Sequence, residues 1–226
     1  MLGQVKYERG MWGAPEWGRL YGLPVLRTST DPTGRLGDFR LSRAGNTLCR
    51  GGVVQTLVPR GFDRWPLLTA KGLAPVDPEP LIRHQGAQLA LERLRRDGRA
   101  PERATVSLWG RRVDWTMERA AALLCARVRH ISVSAPGGGE ELALFLHRRY
   151  GVPVLPAGEG AQVALCFGPG MDARADRVLE LYGAAPRLTG LRPTAPELSG
   201  EDQDDLALLT ALWEGGKLNE CNLKIT

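Results

Sequence analysis

Apolar residues recur with a regular period along the second half of the 226-residue chain. Between Arg83 and Arg96, four of them have the i, i+3, i+4, i+7 spacing that places side chains on one helix face. These four are Ala87, Ala90, Leu91 and Leu94. Because Asp97-Gly98 follows as a stop signal, the spacing predicts an amphipathic helix that ends there.

Two further amphipathic helices are predicted beyond it. Asp114 is a suitable N-cap for a helix that runs to about Val128. Pro136 and the glycines after it precede a second helix, from Glu140 to Tyr150, which Gly151 ends. The residues predicted to face inward are Met117, Ala121, Leu124, Cys125 and Val128 in the first helix, and Leu142, Phe145 and Leu146 in the second.

Short apolar runs separate these helices and predict strands. The runs cover residues 104–108, 130–134, 152–155 and 162–167. They are apolar throughout, as is typical of strands buried on both faces, and they alternate with helices. This order predicts an α/β fold whose parallel sheet is covered by helices on both faces.

The remaining C-terminal stretch predicts three elements. Residues 177–182 are compatible with a helix end or with a strand, and residues 187–192 are extended in character. Together they favour a hairpin. Ser199 is placed to cap a final helix that ends at Gly215-Gly216, with Leu206, Leu209 and Trp213 on its apolar face. The tail, 218–225, is predicted to return as an edge strand.

The first third of the chain is richer in turn signals. Residues 23–28 and 52–58 are β-like, and residues 30–34 and 43–46 carry strong turn chemistry. We therefore expect a small, irregular, β-rich antiparallel unit. One short helix over residues 62–71, stopped by Gly72, is predicted to cover this unit.

A stiff, proline-rich connection marks the predicted domain boundary. Pro75, Pro78 and Pro80 lie within six residues, a spacing typical of a semi-rigid linker. The chain is accordingly predicted to divide into a β-rich N-terminal segment, 1–80, and a parallel-sheet α/β domain, 81–226.

Composition places the chain among folded proteins. A hydrophobic fraction of 43% with 24% charged residues excludes wholesale disorder. No apolar run approaches the roughly 18–20 residues of a membrane-spanning helix, and the N-terminus lacks the apolar core of a secretory signal. Four widely spaced cysteines predict free thiols rather than a disulfide framework or a zinc site. These observations predict a cytoplasmic protein with no membrane partner.

Candidate chemistry is sought where the predicted parallel strands end, since ligands of open α/β sheets bind beyond those ends. Three loops meet this criterion: residues 109–112, 134–139 and 168–170. They supply the candidate ligand-binding residues Gly110, Arg111, Arg112, Ser134, Gly137, Gly138, Gly139 and Gly168.

In element order, residues 104–168 resemble a Rossmann-type domain, although in a degenerate form. The resemblance implies a Gly-x-Gly-x-x-Gly turn after the first strand, whereas here Gly110 is followed by the bulky Arg111 and Arg112. It also implies an acidic residue after the second strand, where Ser134 stands. Both departures argue against NAD binding in the usual manner.

Several local patterns have two interpretations. Arg111 and Arg112 form an anion clamp, or are surface arginines neutralised by Asp114 or Glu118. The triple glycine 137–139 forms an anion-binding nest, or only a turn that leads a strand into a helix.

The net charge of +5 lies in the first third of the chain, where 11 Lys and Arg face 5 Asp and Glu in residues 1–75. Arginines interleaved with aromatic residues are typical of nucleic-acid binding, and equally of packing in a small Trp-containing unit. The arginines are Arg19, Arg27, Arg35, Arg40, Arg43, Arg50, Arg60 and Arg64, and the aromatic residues are Trp12, Trp17, Tyr21, Phe39 and Trp65.

The sequence thus favours a binding protein whose ligand is small and anionic, in the manner of a nucleotide, or is a protein partner. An NAD(P)- or nucleotide-using enzyme with a non-standard glycine loop is one alternative. Nucleic-acid binding through the basic N-terminal segment is the other. No residue is assigned as catalytic or as a metal ligand, and the identity of any cofactor stays open.

Overall fold

The computed structural model describes residues 1–9, 14–156 and 160–226. The strands within these residues are β1 (Leu2–Tyr7), β2 (Glu16–Leu20), β3 (Leu23–Thr30), β4 (Gln55–Leu57), β5 (Ala74–Pro75), β6 (Thr105–Trp109), β7 (His130–Ser134), β8 (Val154–Pro156), β9 (Val163–Cys166), β10 (Arg177–Glu180), β11 (Pro193–Thr194) and β12 (Lys224–Ile225). The α-helices are α1 (Gly37–Arg50), α2 (Trp65–Thr69), α3 (Glu79–His84), α4 (Gly86–Arg96), α5 (Trp115–Cys125), α6 (Gly139–Tyr150) and α7 (Leu206–Glu214).

The chain forms two compact units, and each is built from two stretches of sequence. The first unit contains Met1–Asp77 and Ala195–Leu223, and the second contains Pro78–Thr194 and Lys224–Thr226. The division into domains of residues 1–80 and 81–226 stays a prediction.

A five-stranded, wholly parallel sheet forms the centre of the second unit. Its strand order is β10-β9-β6-β7-β8. If the strands are numbered 1 to 5 in chain order and read across the sheet from β8 to β10, their order is 3-2-1-4-5, which is the Rossmann arrangement. The predicted α/β class with a Rossmann-like parallel sheet is therefore confirmed, and the strand order reverses between β6 and β9.

Burial explains why these residues form these elements. Val106, Leu108, Ile131, Val163 and Leu165 are fully buried, as expected for strands with helices on both faces. The helices predicted from periodicity are present as α4, α5 and α6. Their inward residues are buried as expected, with one exception.

The exception is Phe145, which was expected to face inward and is 53% exposed. Helix α6 buries only a narrow stripe, formed by Gly139, Leu142 and Leu146. These three follow the i, i+3, i+7 spacing of one face, so Phe145 lies to its side and the prediction for this residue was wrong.

The predicted C-terminal hairpin was also wrong. Strand β10 pairs in parallel with β9 and extends the sheet instead. Only a single antiparallel bridge, Glu180 to Arg187, remains of the expected pairing. A short run of apolar residues in the sequence predicts a strand but not its partner. A fifth parallel strand and one arm of a hairpin require the same apolar residues, so the pattern cannot distinguish them.

The first unit holds a second five-stranded sheet, in the order β2-β3-β1-β4-β5. Only the β2–β3 pair is antiparallel, and β1 pairs in parallel with both β3 and β4. The expected antiparallel unit was therefore wrong in strand direction. Residues 43–46, predicted as a turn, lie inside α1, where Ala44 and Gly45 are buried with Leu41 and Leu48.

The C-terminal helix begins later than expected. Residues Gly200–Asp204 form a 3-10 helix, and Asp205 rather than Ser199 caps α7 by accepting from the N–H groups of Ala207 and Leu208. The predicted final strand is short: β12 pairs with β11 in an antiparallel ribbon. Among the residues described, no helix is both long and apolar enough to cross a bilayer.

Candidate functional site

The three candidate loops follow β6, β7 and β9, so they lie at the same edge of the parallel sheet. They are named here the first loop (109–112), the second loop (134–139) and the third loop (168–170). The first loop stands between the other two, because β6 is hydrogen-bonded to both β7 and β9. The topology thus brings the predicted residues together along one edge.

Backbone hydrogen bonds join the first and second loops. The N–H of Gly110 donates to the carbonyl of Ser134 at 3.0 Å, and the N–H of Gly137 donates to the carbonyl of Arg111 at 3.1 Å. Directly after the first loop, the N–H of Val113 donates to Gly137 at 2.7 Å. The two loops therefore form one hydrogen-bonded layer above β6 and β7.

The triple glycine permits this close approach. A Cβ on Gly137 would lie 3.2 Å from Cγ of Arg112, which is tighter than ordinary packing, and Gly138 has a φ of +89°. Gly138 is also the N-cap of α6, and no side chain caps that helix. The close contact at Gly137 and the positive φ at Gly138 explain why glycine stands at these two positions. Both reasons concern the path of the backbone, which supports the turn interpretation.

Asp114 occupies the N-terminus of α5. Its Oδ1 accepts hydrogen bonds from the N–H groups of Thr116 and Met117, both at 3.0 Å, and from the Thr116 hydroxyl at 2.6 Å. The predicted N-cap is therefore confirmed. In dinucleotide-binding domains such N–H groups hold the pyrophosphate; here a carboxylate of the chain itself takes that place.

The pKa of Asp114 lies below its ordinary value. Burial acts to raise it, but the hydrogen bonds from Thr116 and Met117 and the positive charge of Arg83 outweigh burial. Asp114 is therefore ionised at neutral pH, and its charge opposes a phosphate at this helix end.

Arg83, which was not predicted from the sequence, connects the Asp114 cap to the backbone directly after β9. Its Nη2 donates to Oδ2 of Asp114 and to the carbonyl of Phe167, both at 2.8 Å. Its Nη1 lies 3.3 Å from Glu79, one helical turn earlier. The spacing to Glu79 is visible in the sequence, whereas the contacts with Asp114 and Phe167 depend on the fold.

Arg111 and Arg112 lie against different loops. A Cβ on Gly170 would be 3.6 Å from Nη2 of Arg111, whereas the stem of Arg112 lies beside Gly137. Both side chains are exposed. Across the described ranges no hydrogen bond or ion pair engages either guanidinium group, and Asp114, expected as a neutralising partner, pairs with Arg83 instead.

The surroundings of the two arginines differ in charge. Arg112 lines a cleft of about 590 Å³ together with Glu118, Glu141, Gly137 and Gly138. Two carboxylates against one guanidinium make that cleft unsuitable for an anion. Arg111 instead reaches toward the third loop, where the space beside Gly168 is open.

Thiol chemistry has little support at this edge of the sheet. Burial, with a smaller contribution from the charge of Glu180, raises the pKa of Cys166 to about 11. Burial also raises the pKa of Cys125. Neither thiol is a competent nucleophile near neutral pH.

Several N-terminal arginines proposed for nucleic-acid contact are engaged within the first unit. Arg27 donates hydrogen bonds to the side chain of Gln4 and to the carbonyl of Arg19, and Arg40 lies near the carboxylate of Asp31. Arg60 donates to Asp204 and to the carbonyl of Glu201. Arg64 donates to Asp38 and to the carbonyl of Pro32. Trp65 packs edge-on against Phe62 beside the core. Trp17 and Phe39 are exposed, and Trp12 lies outside the described residues. These contacts favour the packing interpretation for much of the set.

Comparison with known proteins gives little further guidance. No protein-family model and no curated protein matches the chain. Among solved structures, the crystal structure of L-tryptophan dehydrogenase from Nostoc punctiforme is similar with a TM-score of 0.32 and 15% sequence identity. The match covers 73% of this chain and 55% of that one. A likeness of this size assigns no activity.

Proposed function

We propose that the second unit binds a small anionic ligand beyond the carboxyl ends of β6 and β9. The observation that carries the proposal is the position of Arg111, whose exposed guanidinium lies beside Gly170 at the point where strand order reverses. Ligands of open α/β sheets bind at that point. Arginine is also the side chain best suited to hold a phosphate or carboxylate through two parallel hydrogen bonds.

The other candidate residues have supporting roles in this proposal. Gly168 and Gly170 leave room for the ligand beside the third loop. Gly110, Ser134 and the triple glycine 137–139 hold the first loop in place through the second. Arg112 lies nearer to carboxylates and is proposed as a secondary contact only.

A nucleotide-like ligand is compatible with this crevice, provided that its phosphate is bound by a side chain. Asp114 already occupies the N–H groups of the first turn of α5, so a pyrophosphate bound in the usual way would lack its donors. The Asp114 cap therefore supports a binding protein with no assigned reaction over the alternative of an NAD(P)- or nucleotide-using enzyme.

The predicted cytoplasmic location belongs to the same proposal. All four cysteines, Cys49, Cys125, Cys166 and Cys221, are free. Free thiols are the state that a reducing compartment maintains.

Ligand-dependent thermal unfolding tests the proposal. The full chain is heated with millimolar inorganic phosphate, ADP, NAD⁺ or NADP⁺, and a ligand that binds the folded state raises the unfolding midpoint by mass action. We expect Arg111→Ala to abolish the shift. Arg112→Ala, the matched control one residue away, is expected to retain most of it.

Two results would contradict the proposal. One is that no anion of the panel changes the midpoint of the wild-type chain. The other is that Arg111→Ala responds to the same ligand as strongly as the wild type does.

A further inference from the structure

The outer face of helix α6 carries an exposed apolar centre. Leu144 is 55% exposed and Phe145 is 53% exposed, while Leu142 and Leu146 belong to the stripe of α6 that is buried. Glu141 and Arg148 extend this outer face, because residues at i, i+3, i+4 and i+7 lie along one stripe of a helix. The stripe Glu141-Leu144-Phe145-Arg148 is named here the α6 stripe.

Charge is arranged symmetrically along this helix. Glu140 and Glu141 occupy its first turn, and Arg148 and Arg149 occupy its last. None of the four takes part in an ion pair with any part of the chain that the structure describes. An intrahelical pair is out of reach, since seven positions separate Glu141 from Arg148 and helical ion pairs form at three or four.

The charged and apolar pairs share one midpoint. Glu141 and Arg148 are equally distant from the point between Leu144 and Phe145, and so are Glu140 and Arg149. A second α6 stripe laid antiparallel on the first, with a twofold axis through this point, places each acidic residue opposite a basic one. The same operation places Leu144 opposite the second copy's Phe145.

We propose that the α6 stripe is a docking surface for a second copy of this chain, in a twofold-symmetric dimer with antiparallel α6 helices. A twofold interface must be complementary to itself, and a helix with an acidic start, an apolar centre and a basic end meets that requirement. Glu141 then pairs with the partner's Arg148 twice in the dimer. This inference is independent of the anion site.

The surface beside the stripe supplies additional contact area. A cleft of about 530 Å³ on one side is lined by Glu140, Ala143, Leu144, His147, Pro153 and Val154, and most of its surface is apolar. Leu155, which follows Val154 on the edge strand β8, is 38% exposed. A single helix pair with such margins belongs to the smaller class of interfaces, roughly 1,200 Å² in total, so a reversible dimer is expected.

Sedimentation velocity over a range of protein concentration tests the proposal with the full chain. We expect the wild type to shift from monomer to dimer as concentration rises, and Phe145→Glu to remain a monomer. Phe39→Glu is the matched control, because Phe39 is 64% exposed on α1 of the first unit and the same substitution there leaves the α6 stripe intact. Far-UV circular dichroism verifies that both variants are folded.

Charge reversal tests the antiparallel register specifically. Glu141→Arg places two like-charged pairs in the dimer, and so does Arg148→Glu. We expect each variant alone to raise the dissociation constant about tenfold or more. An equimolar mixture of the two variants restores both opposite-charge pairs, and we expect it to form a one-to-one heterodimer.

Each alternative outcome would overturn the proposal. A wild-type chain that stays monomeric up to several hundred micromolar excludes the second copy as the occupant. A dimer that survives Phe145→Glu uses another surface. A mixture of Glu141→Arg and Arg148→Glu that dimerises no better than either variant alone excludes the antiparallel register.

Discussion

Arg83 and Asp114 are 31 positions apart in sequence and form an ion pair with 2.8 Å between Nη2 and Oδ2. Asp114 at the same time caps α5 through its other carboxylate oxygen. One side chain therefore satisfies the first turn of a helix and anchors the arginine that also holds the carbonyl of Phe167. The pair fixes the geometry at the edge of the sheet where the anion site is proposed.

Substitution of Asp114 separates the cap from the ion pair. Asp114→Ala removes both and is expected to lower the free energy of unfolding by about 2 kcal/mol. Asp114→Asn keeps an acceptor that caps helices as well as aspartate does, so its cost is expected to be about 1 kcal/mol. Urea denaturation of the three proteins measures both values, and equal losses would show that the cap contributes nothing.

The same pair gives the stability a pH dependence. The pKa of Asp114 in the folded state lies below its unfolded value, chiefly because hydrogen bonds and Arg83 outweigh the opposing effect of burial. A depressed folded pKa contributes stability above the unfolded pKa, about 3.9, that is lost as the pH falls through the folded pKa. We therefore expect the advantage of the wild type over Asp114→Asn to be constant at neutral pH and to diminish below about pH 4.

Gly37 is predicted to be irreplaceable at the start of α1. A Cβ there would overlap the carbonyl of Pro32, and backbone atoms cannot move aside as a flexible side chain can. We expect Gly37→Ala to lower the free energy of unfolding by about 3 kcal/mol. Gly168→Ala is the control, because a Cβ at Gly168 meets nothing within 4 Å; a comparable loss at both sites would contradict this explanation.

The four thiols are expected to differ in reactivity. Cys49 and Cys221 are exposed, whereas Cys125 and Cys166 are buried, and burial raises the pKa of Cys166 to about 11. Iodoacetamide at pH 8 is therefore expected to add two carbamidomethyl groups to the folded chain and four in denaturant. Intact-mass spectrometry counts them, and rapid modification of all four in the folded state would be inconsistent with the structure.

Local signals in the sequence determine part of this fold. Asp114 could be identified as a cap because a side chain that bonds the next N–H groups acts over only three residues. The direction of the strands in the first unit could not be identified. Strand β1 lacks a strong apolar alternation, and its place beside Val53 depends on Gly3, where a Cβ would lie 2.7 Å from Cγ1 of Val53.

The candidate site shows the same division. Arg111 and the glycine loops could be found by their position after predicted strands, whereas Arg83 could not. Its partners Asp114 and Phe167 are 31 and 84 positions away, and only the crossover topology brings them together. Phe145 was misplaced because a helical period indicates a face, but the width of the buried stripe is set by what packs against it.

The passage of the chain between its two units bears on how it folds during synthesis. The chain leaves the first unit at Asp77 and returns to it at Ala195, so α7 emerges from the ribosome after the whole parallel sheet has been made. Domains usually fold in the order of their synthesis, beginning at the N-terminus. Here the parallel sheet of the second unit is complete before the first unit has received its last helix, so the unit that begins the chain is expected to complete its fold only after that sheet has formed, and the second unit then gains β12.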